Sequence, residues 1–263
     1  MNQTTTIFEP GGPRQRRLVR IATIGSAIIL LALAYVVIEQ LHYEGQLISQ
    51  KWLTFYDPHF VGFLLKGFSV TLKVCAASVV LSCLLGIVLA VARLSPSKWA
   101  SVPATVFVEF FRGMPFLLII FVVMFGLPPL GITMPPYWQL VLSIVLVAGS
   151  MFAEVFRAGI LDIPAGQTEA GLANGLTHRQ AFVSIVLPQA VRNLAPALLS
   201  QTVRVIKESS LGYVVGVAEV LNSARVTGEF TGNFIQAYLA AGVLFIVVNS
   251  TISYMGNRLA SSR

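Results

Sequence analysis

Arg204, Lys207, Glu208, Ser209 and Ser210 place two cations, one carboxylate and two hydroxyls within seven residues. Such a set suits recognition of a small anion, above all a carboxylate, because Arg and Lys supply charge-assisted bonds and serines supply directional ones. The apolar segment that follows, Leu211 to Val220, is too short to cross a bilayer and holds Gly212 and Gly216. A broken or re-entrant helix at mid-membrane depth fits it, and such backbone is tolerated where it lines a cavity or is buried in protein. Ser209 or Ser210 is then expected to start that segment and aim unpaired N–H groups at the anion. The plainer reading is a structural cap at a helix break. Glu208 either holds Arg204 or Lys207 in place or meets an ammonium. Two further couples, Glu109 with Arg112 and Glu154 with Arg157, are each three residues apart in apolar surroundings. Each couple neutralises itself on one helix face, or faces a path or gate, which makes Arg112 and Glu154 path candidates.

Other chemistry is missing from the sequence. No G-x-x-x-x-G-K-[ST] loop occurs to hold ATP phosphates, so any ATP hydrolysis must come from another polypeptide. His42, His59 and His178 are scattered, with no H-E-x-x-H, and no G-x-S-x-G elbow appears. Cys75 and Cys83 lie about 12 Å apart along one helix and cannot pair with each other. An intramembrane enzyme is therefore unsupported, and no metal or cofactor site is expected in this chain.

These residues sit in a chain that is 56% hydrophobic and only 11% charged, against about 25% charged in soluble proteins. A soluble globule, a disulfide scaffold and a disordered chain are all excluded. A multi-pass helical membrane protein remains, and the net charge of +7 belongs to membrane-flanking loops rather than to nucleic-acid binding. Residues 1–20 read as a cytoplasmic basic tail without fold. Ile21 to Ile38 is just long enough to span; Ala32, Leu33 and Ala34 imitate a signal-peptide cleavage site, but the apolar run continues past them. Lys66 and Lys73 mark one face of an amphipathic approach to a second span, Val74 to Ala92. A third span is expected from Val102 to Leu127, a fourth from Tyr137 to Ala158, a fifth from about Ala181, and a sixth from Phe234 to Met255. Pro188 and Pro196 are kink points in the fifth. Arg14, Arg16, Arg17, Arg20, Arg93, Lys98, Arg157, Arg179, Arg258 and Arg263 fall on one side, which the positive-inside rule makes the cytoplasm, with both termini there.

The hydrophilic stretch from Asp162 to Gln180 then lies in the cytoplasm. Asp162 is placed to cap a short helix, Pro164 suits its first turn and Glu169 its early half. Asn174 and Gly175 form a left-handed stop. Thr177 and Gln180 have capping-box spacing and open the next span. Ala170, Gly171 and Ala173 are small enough to let a partner surface approach closely, although an ordinary amphipathic connector would have the same look.

Gly166, Gln167, Thr168, Glu169 and Ala170, with Gly175 six residues after Glu169 and Leu187-Pro188-Gln189-Ala190 further on, resemble the EAA loop of ATP-binding-cassette (ABC) importer permeases. Gly171 stands where a second alanine is usual, a change that should weaken the helix by about 1 kcal/mol. The segment Phe111-Arg112-Gly113-Met114-Pro115-Phe116-Leu117-Leu118 resembles the FRGTPLL segment of the polar amino-acid branch (histidine, glutamate, glutamine, arginine and opine carriers), with Met114 for threonine. Lys207-Glu208-Ser209-Ser210-Leu211 resembles its KDTSL segment, and Glu154 to Ile160 fits its approach to the loop. The resemblance covers about residues 60–257. It implies an all-α integral membrane protein with the type I ABC importer permease fold, a five-helix core plus one extra N-terminal transmembrane helix. The implied domains are the tail, the added helix and outer loop at 21–59, the permease domain at 60–257 and a cytoplasmic tail at 258–263. Gly166, Gln167, Glu169, Ala170, Gly171 and Gly175 are then the ATPase-coupling residues, and Arg204, Lys207, Glu208, Ser209, Ser210, Glu154 and Arg112 the substrate path. The implied partners are a second permease subunit, two cytoplasmic ATPases that carry ATP and Mg, an extracytoplasmic solute-binding protein, an amino-acid substrate and the lipid of a prokaryotic plasma membrane. Similarity around Lys207 to Gly212 and the cations Arg204 and Lys207 lean toward acidic amino acids. Basic or amide amino acids are the alternative within the family, and an ion-driven secondary carrier the alternative outside it.

Overall fold

The computed structural model describes residues 12–261, and among these every regular element is a helix. In chain order they are α1 (Pro13–Tyr43), α2 (Ser49–Trp52), α3 (Pro58–Leu94), α4 (Lys98–Gly113), α5 (Phe116–Phe121), α6 (Pro136–Leu161), α7 (Ala165–Ala173), α8 (His178–Ala181), α9 (Leu187–Ser209), α10 (Val220–Thr231) and α11 (Phe234–Ser261). Two compact units divide them, Met1–Thr54 and Phe55–Arg263.

In the first unit, α1 starts with Pro13 in its first turn, where the missing N–H costs nothing. Arg14, Arg16, Arg17 and Arg20 are thus helical, not part of a tail without fold; the remainder of that expected tail, Met1 to Gly11, lies outside the described residues. None of the apolar stretch of α1 is buried, as suits a helix apolar on all sides in lipid.

In the second unit, α3 is one unbroken helix of 37 residues, about 55 Å long, capped by Asp57, whose carboxylate accepts from the His59 N–H at 2.8 Å. The expected division into an amphipathic approach and a span is absent, because nothing between Lys66 and Val74 interrupts the helix; both Lys66 and Lys73 are exposed on it. Nor is the third span straight. Its two halves, Lys98–Gly113 and Phe116–Leu130, meet at 107°. Pro115 forces the residue before it out of the helical region, and Met114 accordingly has φ −88 and ψ 138. Among the described residues, five helical stretches are long and apolar enough to cross a membrane, six if the bent pair is counted as one span.

The core is built on α3 and α6, with α9 packed against α6 and α10 against α3 and α11. Val74, Leu140, Ile144, Phe152 and Val205 are among its buried centre. Without a hydrophobic drive between helices in lipid, small residues must let backbones approach. Gly86 does so: a Cβ there would lie 2.7 Å from Phe152 Cβ and 3.0 Å from the Ala153 nitrogen. Gly159 on α6 makes room for the Leu194 side chain of α9, which a Cβ there would overlap.

Candidate functional site

The hydrophilic loop between α6 and α8 is a folded unit between two candidate spans. Asp162 closes α6, its N–H donating to the Ala158 carbonyl at 2.9 Å, and does not cap the next helix. Pro164 takes that position instead, its ring favouring the extended conformation a helix entrance needs. α7 ends as expected: Asn174 Nδ2 donates to the Ala170 carbonyl at 2.8 Å, and Gly175 adopts φ +81, where a Cβ would be strained. The capping box is complete. Gln180 N–H donates to Thr177 Oγ1 at 3.3 Å, and Thr177 N–H to Gln180 Oε1 at 2.8 Å.

Gly171 faces inward. It is buried, and a Cβ there would lie 2.9 Å from Ile185 Cδ1 and 3.1 Å from Ala181 Cβ. The room it leaves is taken by this chain's own fifth span, not by a partner. Gly166, Gln167, Glu169 and Ala170 remain exposed on the other side, with Glu169 at the middle of α7. Gln189 Nε2 of α9 reaches Gln167 Oε1 at 3.4 Å, so α7 is tied to the following helix at both a packed and a polar point.

The two intramembrane couples are not separate. Glu154 Oε1 accepts from Arg157 Nη2 at 2.5 Å and Glu154 Oε2 from Arg93 Nη1 at 2.6 Å. Arg93 also meets Glu109 at 3.4 Å, and Arg112 meets Glu109 at 3.6 Å and Glu154 at 3.7 Å. Three guanidiniums and two carboxylates thus join the end of α3, α4 just before its bend and the last two turns of α6, which lead directly into α7. Arg93 was legible only as a charge flanking a span. Its side chain is 9% exposed, and sequence spacing within single helices gives no sign of its partners on two others.

The segment from Arg204 to Ser210 lies apart from this cluster. Ser209 is fully buried; its Oγ donates to the Ile206 carbonyl at 2.8 Å and accepts from Cys75 Sγ at 3.3 Å. Cys75 is 18 residues from Arg93 on α3, about 27 Å along the axis. The break therefore packs against the middle of α3, well separated from the Arg93 cluster. Neither serine side chain caps the segment that follows. Ser210 Oγ turns back to the Lys207 carbonyl at 2.6 Å, and the chain continues as a 3-10 turn, Ser210–Val215, that ends at Gly216 with φ +78. The next helix start is Glu219, which caps α10 by accepting from the Asn222 N–H at 2.7 Å. Thr71 of α3 accepts from the Val220 N–H at 3.1 Å. Thr71 and Cys75, one turn apart, thus pin both edges of the break. Neither Glu219 nor α10 was anticipated; an acidic residue three before Asn222, at the head of an amphipathic run, is the signal that would have found them.

Arg204 and Glu208 form the self-neutralising pair their spacing allows, Nε to Oε1 at 2.8 Å. Lys207 is exposed and has no acidic partner among the described residues. No group of histidine, cysteine and carboxylate side chains that could hold a metal ion occurs among the described residues.

Comparison with known proteins agrees with this architecture. Residues 82–263 match the family described as binding-protein-dependent transport system inner membrane component. The chain is 34% identical over 213 residues to the glutamate/aspartate import permease protein GltK of Escherichia coli, covering 75% of this chain and 94% of that protein. It is 32% identical over 200 residues to the arginine transport system permease protein ArtQ of Bacillus subtilis, covering 74% and 90%. Among solved structures, an amino acid ABC transporter with histidines superposes with a TM-score of 0.75 at 26% identity, over 78% of this chain and 96% of that one. The MetNI methionine ABC transporter in an inward-facing form shares the fold at a TM-score of 0.66 and 20% identity, over 78% and 98%. A multi-pass helical chain with a broken span and a folded loop between spans, matched by these relatives over most of their length, belongs to the family of binding-protein-dependent transport system inner membrane components, the permeases of ABC importers.

Proposed function

We propose that this chain is the non-catalytic membrane subunit of an ATP-driven importer of acidic amino acids, and that α7 is the surface on which a separate ATPase docks. The observation that carries the reading is the construction of α7. A nine-residue helix outside the spans is fixed on one side by Gly171 and the capping box, while Gly166, Gln167, Glu169 and Ala170 stay exposed. A rigid helix with one free face is what transmission of a partner's movement requires. ATP and magnesium belong to that partner ATPase, present in two copies. A second permease, identical or related, and an extracytoplasmic solute-binding protein complete the assembly. The charges of Arg14 to Arg20 and Arg258 support a bacterial plasma-membrane orientation with both termini in the cytoplasm.

Relatives named for glutamate and aspartate, arginine and glutamine all match this chain, so their names do not select a substrate. Support for an acidic one comes from Lys207, exposed and unmatched by a carboxylate among the described residues. A second reading, import of basic amino acids, is supported by Glu208, whose Oε2 has no partner among the described residues. Reconstitution with the partner ATPase and binding protein tests both. ATP-dependent uptake of glutamate over arginine and glutamine is expected. Preference for arginine would overturn the acidic reading, and gradient-driven uptake by the chain alone, without ATP, would overturn the importer reading.

A further inference from the structure

We infer that one face of α9 lines the solute's route for most of the membrane's thickness, and that Asn193 and Ser200 contact the amino and carboxylate groups shared by all amino acids. This rests on the proposed role in amino-acid import. Gln189, Asn193, Pro196, Ser200, Arg204 and Lys207 follow one another at steps of four, three, four, four and three residues. At about 100° per residue they fall within an arc of roughly 80°. The opposite face, with Ala190, Leu194, Val205 and Ser209, is the one buried against the bundle. From Gln189 to Lys207 the stripe is about 27 Å long, close to the roughly 30 Å of hydrocarbon.

All of these except half-buried Gln189 are exposed. An amide, a hydroxyl and two cations cannot face acyl chains, where no donor or acceptor answers them. The exposed side of α3 after Lys73 shows the contrast: Val80, Leu84, Ile87, Val88 and Val91 are all apolar. The α9 stripe therefore faces water. Within it, Asn193 makes no hydrogen bond among the described residues, and its amide offers two donors and one acceptor oxygen. Ser200 Oγ donates to the Pro196 carbonyl at 3.0 Å, which leaves its lone pairs to accept from an ammonium. Both side chains are neutral, so they match a zwitterion's two ends without selecting its side chain. Lys207, at the far end of the same stripe, is the group placed to select.

The test uses the full complex with its ATPase and binding protein in lipid vesicles, carrying Cys75→Ala and Cys83→Ala. Asn193→Cys, Ser200→Cys and, as an apolar exposed control, Val88→Cys are treated with a charged, membrane-impermeant methanethiosulfonate. Modification of the two α9 positions at least tenfold faster than at Val88→Cys is expected, slowed at least threefold by whichever of glutamate, arginine or glutamine the complex transports. Asn193→Ala and Ser200→Ala should each raise KM at least fivefold for every amino acid transported. Modification no faster than the control would mean lipid or a dry subunit contact and would overturn the aqueous face. Fast modification with no protection by solute and an unchanged KM would overturn the solute contact. If the parent complex transports no amino acid, the importer reading fails by itself, while the modification rates still decide whether α9 faces water.

Discussion

Glu154→Gln is the perturbation whose cost the structure sets most tightly. The carboxylate sits between Arg157 at 2.5 Å and Arg93 at 2.6 Å, with Arg112 at 3.7 Å. Removing its charge leaves three guanidiniums facing Glu109 alone, and Arg93, with a side chain 9% exposed, cannot move out to water. Breaking a fully buried ion pair from one side costs about 3–5 kcal/mol. Two features reduce that here. The Glu154 side chain keeps 26% exposure, and Glu109 still lies 3.4 Å from Arg93. Glutamine also retains a carbonyl that accepts one guanidinium bond. A loss of about 2 kcal/mol follows, roughly a thirtyfold fall in the ratio of folded to unfolded chain. Denaturant titration of the purified protein in detergent measures it. Glu109→Gln is the internal control, because that side chain is 58% exposed with partners at 3.4 and 3.6 Å; its cost should stay below about 1 kcal/mol, as for surface pairs. Glu154→Gln within about 0.5 kcal/mol of the parent, or equal costs for the two glutamates, would refute the assignment of Glu154 as the centre of the cluster.

Three other outcomes are expected. Glu169→Lys, on the exposed side of α7, should leave membrane insertion intact but abolish co-purification of the ATPase; transport at the parent rate would remove α7 from coupling. Gly86→Ala should destabilise the chain by about 1–3 kcal/mol, since the atoms its Cβ meets include the Ala153 backbone nitrogen at 3.0 Å, which cannot yield as a side-chain tip would; the thermal midpoint in detergent reads this. Lys207→Ala should raise KM for glutamate about tenfold, roughly 1.4 kcal/mol for a charge-assisted contact at an exposed lysine, and should change glutamine uptake far less.

The apolar runs announced the spans because a bilayer leaves a helix no alternative, so α1, α6 and α11 are where hydropathy put them. Local signals with their own chemistry were equally legible: the Thr177 box, the Gly175 stop and the Arg204–Glu208 spacing each involve residues within one turn. What failed needed either a rule outranked by hydropathy or a partner from elsewhere in the chain. Pro115 breaks the third span although the residues on both sides are apolar enough to continue it. Gly171 reads as a weakened helix position until Ile185 and Ala181 are brought against it. The serines after Lys207 have the composition of a helix start, yet Ser209 is claimed by Cys75, 134 residues earlier. Arg93 joins its cluster only because α3, α4 and α6 converge.

The irregular points of the fold lie along one mechanical line. α6 carries Glu154 in its last turns and delivers the chain to α7. From α7 the capping box opens α8, and a π-helical turn, Phe182–Val186, precedes Pro188. Proline lacks the N–H that would close the helical turn and its ring crowds the carbonyl four residues back, which a π turn relieves without ending the helix. α9 then runs unbroken to Ser209, where α3 holds both edges of the break through Cys75 and Thr71. A displacement of α7 therefore reaches the break through α9, with points of bending at the π turn and at Pro196. Pro196 divides the polar stripe, with Gln189 and Asn193 on the α7 side and Ser200, Arg204 and Lys207 on the side that α3 holds. Under the proposed docking, closure of the ATPases would carry Asn193 with α7 while Lys207 stays against α3, so that access changes by bending at Pro196.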